Sequence, residues 1–303
     1  MSINHCQHLI TGDEIDSQAI MQIINLAMAM KENPLLHNQA LKGKHIALLF
    51  EKPSLRTRFS FTAAVNQLGG HVIESVSQNR KEELPKDMIR VVQGYCDAVM
   101  IRTTHESILK EMQAYAKIPI INGLTDGFHP CQALADLMTL HQQFGTLDEL
   151  SIAYLGDGNN VLHSLLMMAN KLGVKVNYCC PEGHGPSQHV IDNLDNPTLA
   201  NAIANPQQAV AGCHAVYTDV WTSMGFEDKD DSLFYPYQVN EELMTHANDE
   251  AVFMHCMPMV RGREVSQSLP DAKCSVIFQQ SENRMHVQKA LLVSVLTQEK
   301  IHA

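Results

Sequence analysis

Short apolar runs and amphipathic stretches alternate along this chain. After Asp16-Ser17, either of which can cap a helix, Ile20, Ile24, Ala27 and Met28 recur at helical spacing. His45–Phe50 (HIALLF) predicts a buried strand, Phe59–Leu68 a helix stopped by Gly69-Gly70, and His71–Val76 a strand. Asp87–Gly94 and Glu106–Tyr115 predict helices, and Asp97–Arg102 and Ile118–Ile121 strands. The rhythm restarts after a long predicted helix, Gln132–Phe144, ended by Gly145. Ser151–Leu155, Val174–Cys179, His214–Thr218 and Ala251–Met254 predict strands, with a helix over Val161–Leu172. The last predicted helix, Ser281–Gln298, gathers Val287, Leu291, Leu292 and Val295 on one face.

Short apolar strands alternating with helices imply an α/β fold with parallel sheets covered on both faces. The pattern predicts two doubly wound parallel-sheet domains joined by Gln132–Phe144 as a bridging helix. The expected division is residues 1–131 with the C-terminal helix 281–303, and residues 132–280. Its 303 residues are enough for two such domains. In doubly wound sheets ligands bind outside the carboxyl ends of the strands, so functional residues are sought directly after strands.

Composition narrows the partners. With a formal net charge of -11, the chain repels nucleic acid and anionic membrane surfaces, so neither is an expected partner. An anionic substrate would need a local concentration of positive charge. No apolar run approaches membrane-spanning length, and the polar, mixed-charge start does not resemble a signal peptide. The 8 Cys are scattered without a Cys-x-x-Cys pair, which suits reduced thiols in a cytoplasmic protein. The 16 His show no ligand-spaced set, so no metal and no cofactor are expected.

Phe50-Glu51-Lys52-Pro53-Ser54-Leu55-Arg56-Thr57-Arg58 follows a strand and opens a helix. Free N–H groups at a helix start attract anions, Ser54 and Thr57 add hydroxyls, and Arg56 can fork onto a phosphate. Arg58 points roughly away from Arg56 and suits a structural carboxylate partner. Ser54–Arg58, SLRTR, resembles the Ser-Thr-Arg-Thr-Arg carbamoyl-phosphate motif of aspartate and ornithine carbamoyltransferases. Leu55 stands where Thr is usual and can offer only its backbone N–H. His129-Pro130-Cys131-Gln132 resembles the His-Pro-x-Gln motif of the same family. The resemblance implies that Arg102, at the end of a predicted strand, and His129 donate to the carbamoyl oxygen. Gln132 then accepts from the carbamoyl amide, and Arg284, in Glu282-Asn283-Arg284, returns to the carbamoyl-phosphate site with the last helix.

The second half selects the acceptor. Asp219-Val220-Trp221-Thr222-Ser223-Met224-Gly225 resembles the Asp-x-x-x-Ser-Met-Gly loop of ornithine carbamoyltransferases. That resemblance pairs Asp219 with the α-ammonium of ornithine, with Ser223 and Met224 in a loop closing over it. Gly156-Asp157-Gly158-Asn159-Asn160 lacks the third glycine of a dinucleotide fingerprint, since Val161 stands near its place. The family assigns the ornithine carboxylate to Asn160 and leaves Asn159 structural. His255-Cys256-Met257-Pro258 resembles the family's His-Cys-Leu-Pro motif, with Cys256 and Met257 orienting the attacking amine.

The resemblance implies direct amine attack in an ordered mechanism, carbamoyl phosphate first, with no covalent intermediate. It also implies a homotrimer or an assembly of trimers with shared sites, Gln78 reaching into a neighbour. Three alternatives remain open: a carbamoyltransferase for aspartate, putrescine or an acylated ornithine; a non-catalytic ligand-binding relative; and, weakest, a dehydrogenase.

Overall fold

Strand β1 (His8–Leu9) and helix α1 (Ser17–Glu32) begin the computed structural model, which describes residues 8–76, 83–221 and 231–297. Asp16 caps α1 by accepting from the Ala19 N–H at 2.8 Å. There follow β2 (His45–Phe50), α2 (Leu55–Gln67), β3 (His71–Val76), α3 (Pro85–Val92), β4 (Ala98–Arg102), α4 (Glu106–Gln113), β5 (Ile120–Leu124) and α5 (Pro130–Phe144). The remainder comprises β6 (Ser151–Leu155), α6 (Asn160–Lys171), β7 (Lys175–Cys179), α7 (Gln188–Asp192), β8 (Ala200–Ala202), α8 (Pro206–Val210), β9 (Ala215–Thr218), α9 (Glu241–Met244), β10 (Val252–His255) and α10 (Ile277–Leu296).

The chain divides into two compact units, one of residues 1–138 with 282–303, the other of residues 139–281. The divisions fall inside α5 and inside α10. Each unit has a five-stranded sheet among the described residues, in the orders β1-β5-β4-β2-β3 and β10-β9-β6-β7-β8, and every pairing is parallel. Central strands such as β2, β4, β6 and β9 are almost wholly buried, which is why they read as continuous apolar runs rather than alternations.

Both orders contain a reversal. The first unit's chain runs from β2 outward to β3, then crosses to β4 on β2's other side; the second runs from β6 through β7 to β8, then crosses to β9. The crevices outside the carboxyl ends of β2 with β4, and of β6 with β9, are therefore the topological switch points where such sheets take ligands.

Helices α2 and α10 start a full turn earlier than their apolar pattern predicts, and α3, α5 and α6 start one or two residues earlier. Helix α2 opens at Leu55, not Phe59, because Ser54 caps it, its hydroxyl accepting from the Thr57 N–H at 3.4 Å. Helix α10 opens at Ile277, whose buried side chain joins the second unit's core rather than the face formed by Val287, Leu291, Leu292 and Val295. The short strands β1 and β8 have too few residues to show a period.

Candidate functional site

The first unit gathers its polar residues at the ends of β2, β4 and β5. Arg102, the last residue of β4, is buried, and its Nη1 donates to Ser54 Oγ at 3.1 Å and Thr57 Oγ1 at 3.4 Å. Arg284, on α10, is also buried; its Nη2 donates to Thr57 Oγ1 at 2.8 Å and its Nη1 to Gln132 Oε1 at 3.1 Å. Thr57 thus joins guanidinium groups brought from positions far apart in sequence. Gln132 in turn donates from Nε2 to Asp136 Oδ1 at 2.8 Å, which fixes the sense of its amide.

His129 sits just before α5, its carbonyl accepting from the Gln132 and Ala133 N–H groups while Pro130 takes the first helical position. Burial, then the charges of Arg284 and Arg102, hold its pKa well below the ordinary imidazole value. It is therefore neutral near pH 7 and keeps a ring N–H to donate. Arg56 is half-buried in the first turn of α2, where helix N–H groups are open to an anion, and Leu55 beside it is exposed. Arg58 pairs with Glu74 through both Nε at 2.9 Å and Nη2 at 2.8 Å, the structural carboxylate link its position suggested. Cys131, next to His129, is inert, its thiol pushed up to about 12 by burial.

The second unit presents an anionic group at the ends of β6, β9 and β10. Asp219 follows β9 and is buried. Its Oδ2 accepts from Asn159 Nδ2 at 2.7 Å, and its Oδ1 from the Val220 N–H and the Cys256 thiol, both at 2.8 Å. The Cys256 thiol is thus one of the donors that hold the Asp219 carboxylate. Asn159 also caps α6 through the Val161 and Leu162 N–H groups, and accepts from Tyr154 Oη at 3.2 Å. Asn160, the first residue of α6, is half-buried beside it. Gly158 must be glycine: a Cβ there would lie 2.3 Å from the Gly185 carbonyl carbon.

Met257 takes the left-handed region at φ 63, an unusual backbone for a methionine and one found where a site fixes the chain. Its N–H donates to His255 Nδ1 at 2.9 Å, while His255 Nε2 lies 3.2 Å from Glu264 Oε1. With Nδ1 accepting, the neutral ring carries its proton on Nε2 and donates it to Glu264. Donor atoms of Asp219, His255 and Cys256 lie within 4.8 Å of one another, near enough to share a metal ion. Both ring nitrogens of His255 are committed inside the protein, however, so this set does not offer the free imidazole a metal needs.

Gln78, Ser223 and Met224 lie outside the described residues. The remaining expected residues fall into the two sets. Ser54, Leu55, Arg56, Thr57, Arg102, His129, Gln132 and Arg284 belong to the first; Asn160, Asp219, Cys256 and Met257 to the second. Two supporting residues were not foreseen, Asp136 behind Gln132 and Glu264 behind His255, while Asn159, expected to be structural, stands behind Asp219. For Asn159 a signal existed, since Asn after Gly at a helix start is a good cap, but its bond to Asp219 spans 60 positions.

Two parallel α/β units, each with a polar set at the carboxyl ends of its strands, define a doubly wound two-domain α/β protein. Comparison with known proteins gives it a family. Residues 7–142 match the carbamoyl-phosphate binding domain, and residues 148–295 the aspartate/ornithine binding domain, of aspartate/ornithine carbamoyltransferases. The chain belongs to this family of transferases. Within it, the chain is 42% identical over 300 residues to the ornithine carbamoyltransferase of Anoxybacillus flavithermus, covering 95% of this chain and 96% of that one. It is also 42% identical to the catabolic ornithine carbamoyltransferase of Halobacterium salinarum, covering 96% and 100%. The solved ornithine carbamoyltransferase of Pyrococcus furiosus superposes with a TM-score of 0.92 at 38% identity, covering 98% of each chain.

Proposed function

We propose that this enzyme transfers the carbamoyl group of carbamoyl phosphate to the δ-amine of L-ornithine, giving L-citrulline and phosphate. The observation that carries this is the opposite chemistry of the two sets. One holds guanidinium groups on hydroxyls and an amide; the other holds one buried carboxylate on neutral donors. A dianionic acyl phosphate suits the first, and an amino acid's ammonium group suits the second. The full-length likeness to ornithine carbamoyltransferases supports ornithine over aspartate as acceptor.

Carbamoyl phosphate binds first. Its phosphate is taken by Ser54, Arg56, Thr57 and the Leu55 N–H, with Arg284 adding charge. Arg102 and neutral His129 donate to the carbonyl oxygen, and Gln132 accepts from the carbamoyl amide. Ornithine follows, its α-ammonium on Asp219, its carboxylate on Asn160, and Ser223 and Met224 beside it. The backbone carbonyls of Cys256 and Met257 orient the δ-amine. The amine lone pair attacks the carbamoyl carbon, the carbon–oxygen bond to phosphate breaks with its electron pair leaving on the phosphate oxygen, and the proton the amine loses passes to the departing phosphate. Negative charge grows on the carbonyl oxygen during attack, which is where fixed donors lower a barrier most.

We further propose a homotrimer, or an assembly of trimers, with Gln78 serving a neighbouring site. Exposed apolar residues on the first unit, Leu55 and Phe59 on α2 with Ile73 and Val76 on edge strand β3, support a subunit contact there. Among the described residues no helix is long and apolar enough to cross a membrane. Seven described cysteines are free, which supports a reducing, cytoplasmic setting.

The test is rapid mixing with carbamoyl phosphate alone and then with ornithine. Direct attack predicts no phosphate release until ornithine is present, then citrulline and phosphate in equal amounts. A burst of phosphate without ornithine would instead mean a carbamoylated enzyme.

A further inference from the structure

The first unit carries a second polar basin, walled by the end of α1, the end of α2 and the middle of α10, with a volume of about 550 Å³. Lys31, Gln67, Glu282, His286 and Lys289 are among the residues that line it. None belongs to the carbamoyl-phosphate set.

Lys289 is the unusual feature. It is 1% exposed, yet the partner of its ammonium group is a neutral one, Gln67 Oε1 at 3.2 Å. Among the described residues no carboxylate forms an ion pair with it. The basin's one carboxylate, Glu282, is engaged with Lys31 at 3.2 Å and with His286 at 3.3 Å. An ammonium group needs three acceptors and a counter-charge to rest comfortably away from water. Burial correspondingly lowers the Lys289 pKa, with no carboxylate acting to raise it. Beside it His286 is 6% exposed, and its Nδ1 is buried without a hydrogen-bond partner. Buried polar groups are rarely left so, and here an unpartnered imidazole nitrogen and an ammonium held by one neutral acceptor line one basin.

We infer that this basin is a binding site for a small oxyanion, a phosphate or carboxylate group that completes the shell of Lys289 and faces His286 and Lys31. Lys31 and Lys289 against Glu282 leave the basin a net positive charge in a chain whose net charge is -11, so an anion has reason to collect there rather than elsewhere on the surface. Asn38, Gln39 and Asn66 line the rim and offer amide donors to the rest of the molecule that carries the anion.

The experiment is calorimetric titration of the intact enzyme with inorganic phosphate, and separately with malonate, in the Arg56→Met background. That change weakens anion binding at the transfer site and leaves the basin's lining residues in place. A site independent of the transfer site is expected, weakened at least about tenfold in Lys289→Met through loss of a charged hydrogen-bond donor. Glu282→Gln, an exposed change that leaves the fold alone, is expected to tighten it roughly threefold by removing the nearby negative charge. Phosphate binding with no malonate binding would assign the basin to phosphate esters, and the reverse to carboxylates. No binding of either anion, or binding that Glu282→Gln leaves unchanged, overturns the inference, whether or not Lys289→Met folds.

Discussion

The two units are built alike and charged oppositely. In the first, Arg102 and Arg284 reach Thr57 from β4 and α10, and the starts of α2 and α5 supply the hydroxyl and amide oxygens that hold them. In the second, three neutral donors converge on Asp219. The same fold therefore makes a receptor for an anion or for a cation according to which residue ends a strand. The comparison also explains how an acidic chain handles an anionic substrate. Charge is concentrated locally at one switch point, and the surplus negative charge elsewhere does not reach it through intervening solvent.

The comparison breaks first at Arg102. Arg102→Met removes a donor that the account aims at the developing oxyanion, and kcat should fall roughly 100–1000-fold with the fold intact, measured by citrulline formation. A change below tenfold would remove Arg102 from that role. The pH profile comes next. A free alkyl amine titrates near 10, so where chemistry limits turnover the rate should rise from pH 7 to 9 by roughly tenfold or more. His129 adds no break near 6.5, because its pKa lies well below that value and the ring stays neutral across this range. A flat profile with chemistry shown to limit would contradict amine attack.

The second unit gives smaller, more selective effects. Asp219→Asn should raise the KM for ornithine by roughly 30-fold or more while leaving the affinity for carbamoyl phosphate within about twofold. Asn159→Ala should follow the same pattern at roughly tenfold, and should also cost about 1 kcal/mol of stability through the lost helix cap, read from urea unfolding. Loss of carbamoyl-phosphate affinity in either variant would undo the division of labour between the sets. The smallest effect is expected at Leu55, whose proposed part in the site is its backbone N–H alone, which Thr keeps. Leu55→Thr should change kcat/KM by no more than about twofold.

Much of this was legible from the chain. Buried parallel strands announce themselves as apolar runs, so β2 and β6 match their predicted bounds, and several residues placed directly after strands fall in the two polar sets. What stayed hidden has a common cause. The first turn of α2 is polar because it is a binding surface, so apolar periodicity misses it and only the Ser54 cap marks its start. Asn159 and Glu264 act by holding side chains 60 and 9 positions away, which no local pattern encodes, whereas Asp136 meets Gln132 four positions back on α5, a spacing that only becomes meaningful once the helix start is placed. The basin around Lys289 was invisible for the same reason, since a lysine on a long helix reads as a solvated residue until its burial is seen.

The most direct measurement offers ornithine, aspartate, putrescine and N-acetylornithine in parallel as acceptors with carbamoyl phosphate and identifies the carbamoylated products. The account predicts citrulline from ornithine, with the other three turned over at background. Turnover of another acceptor in preference to ornithine would leave the first unit's chemistry standing and contradict the assignment of Asp219, Asn160 and Cys256 to ornithine.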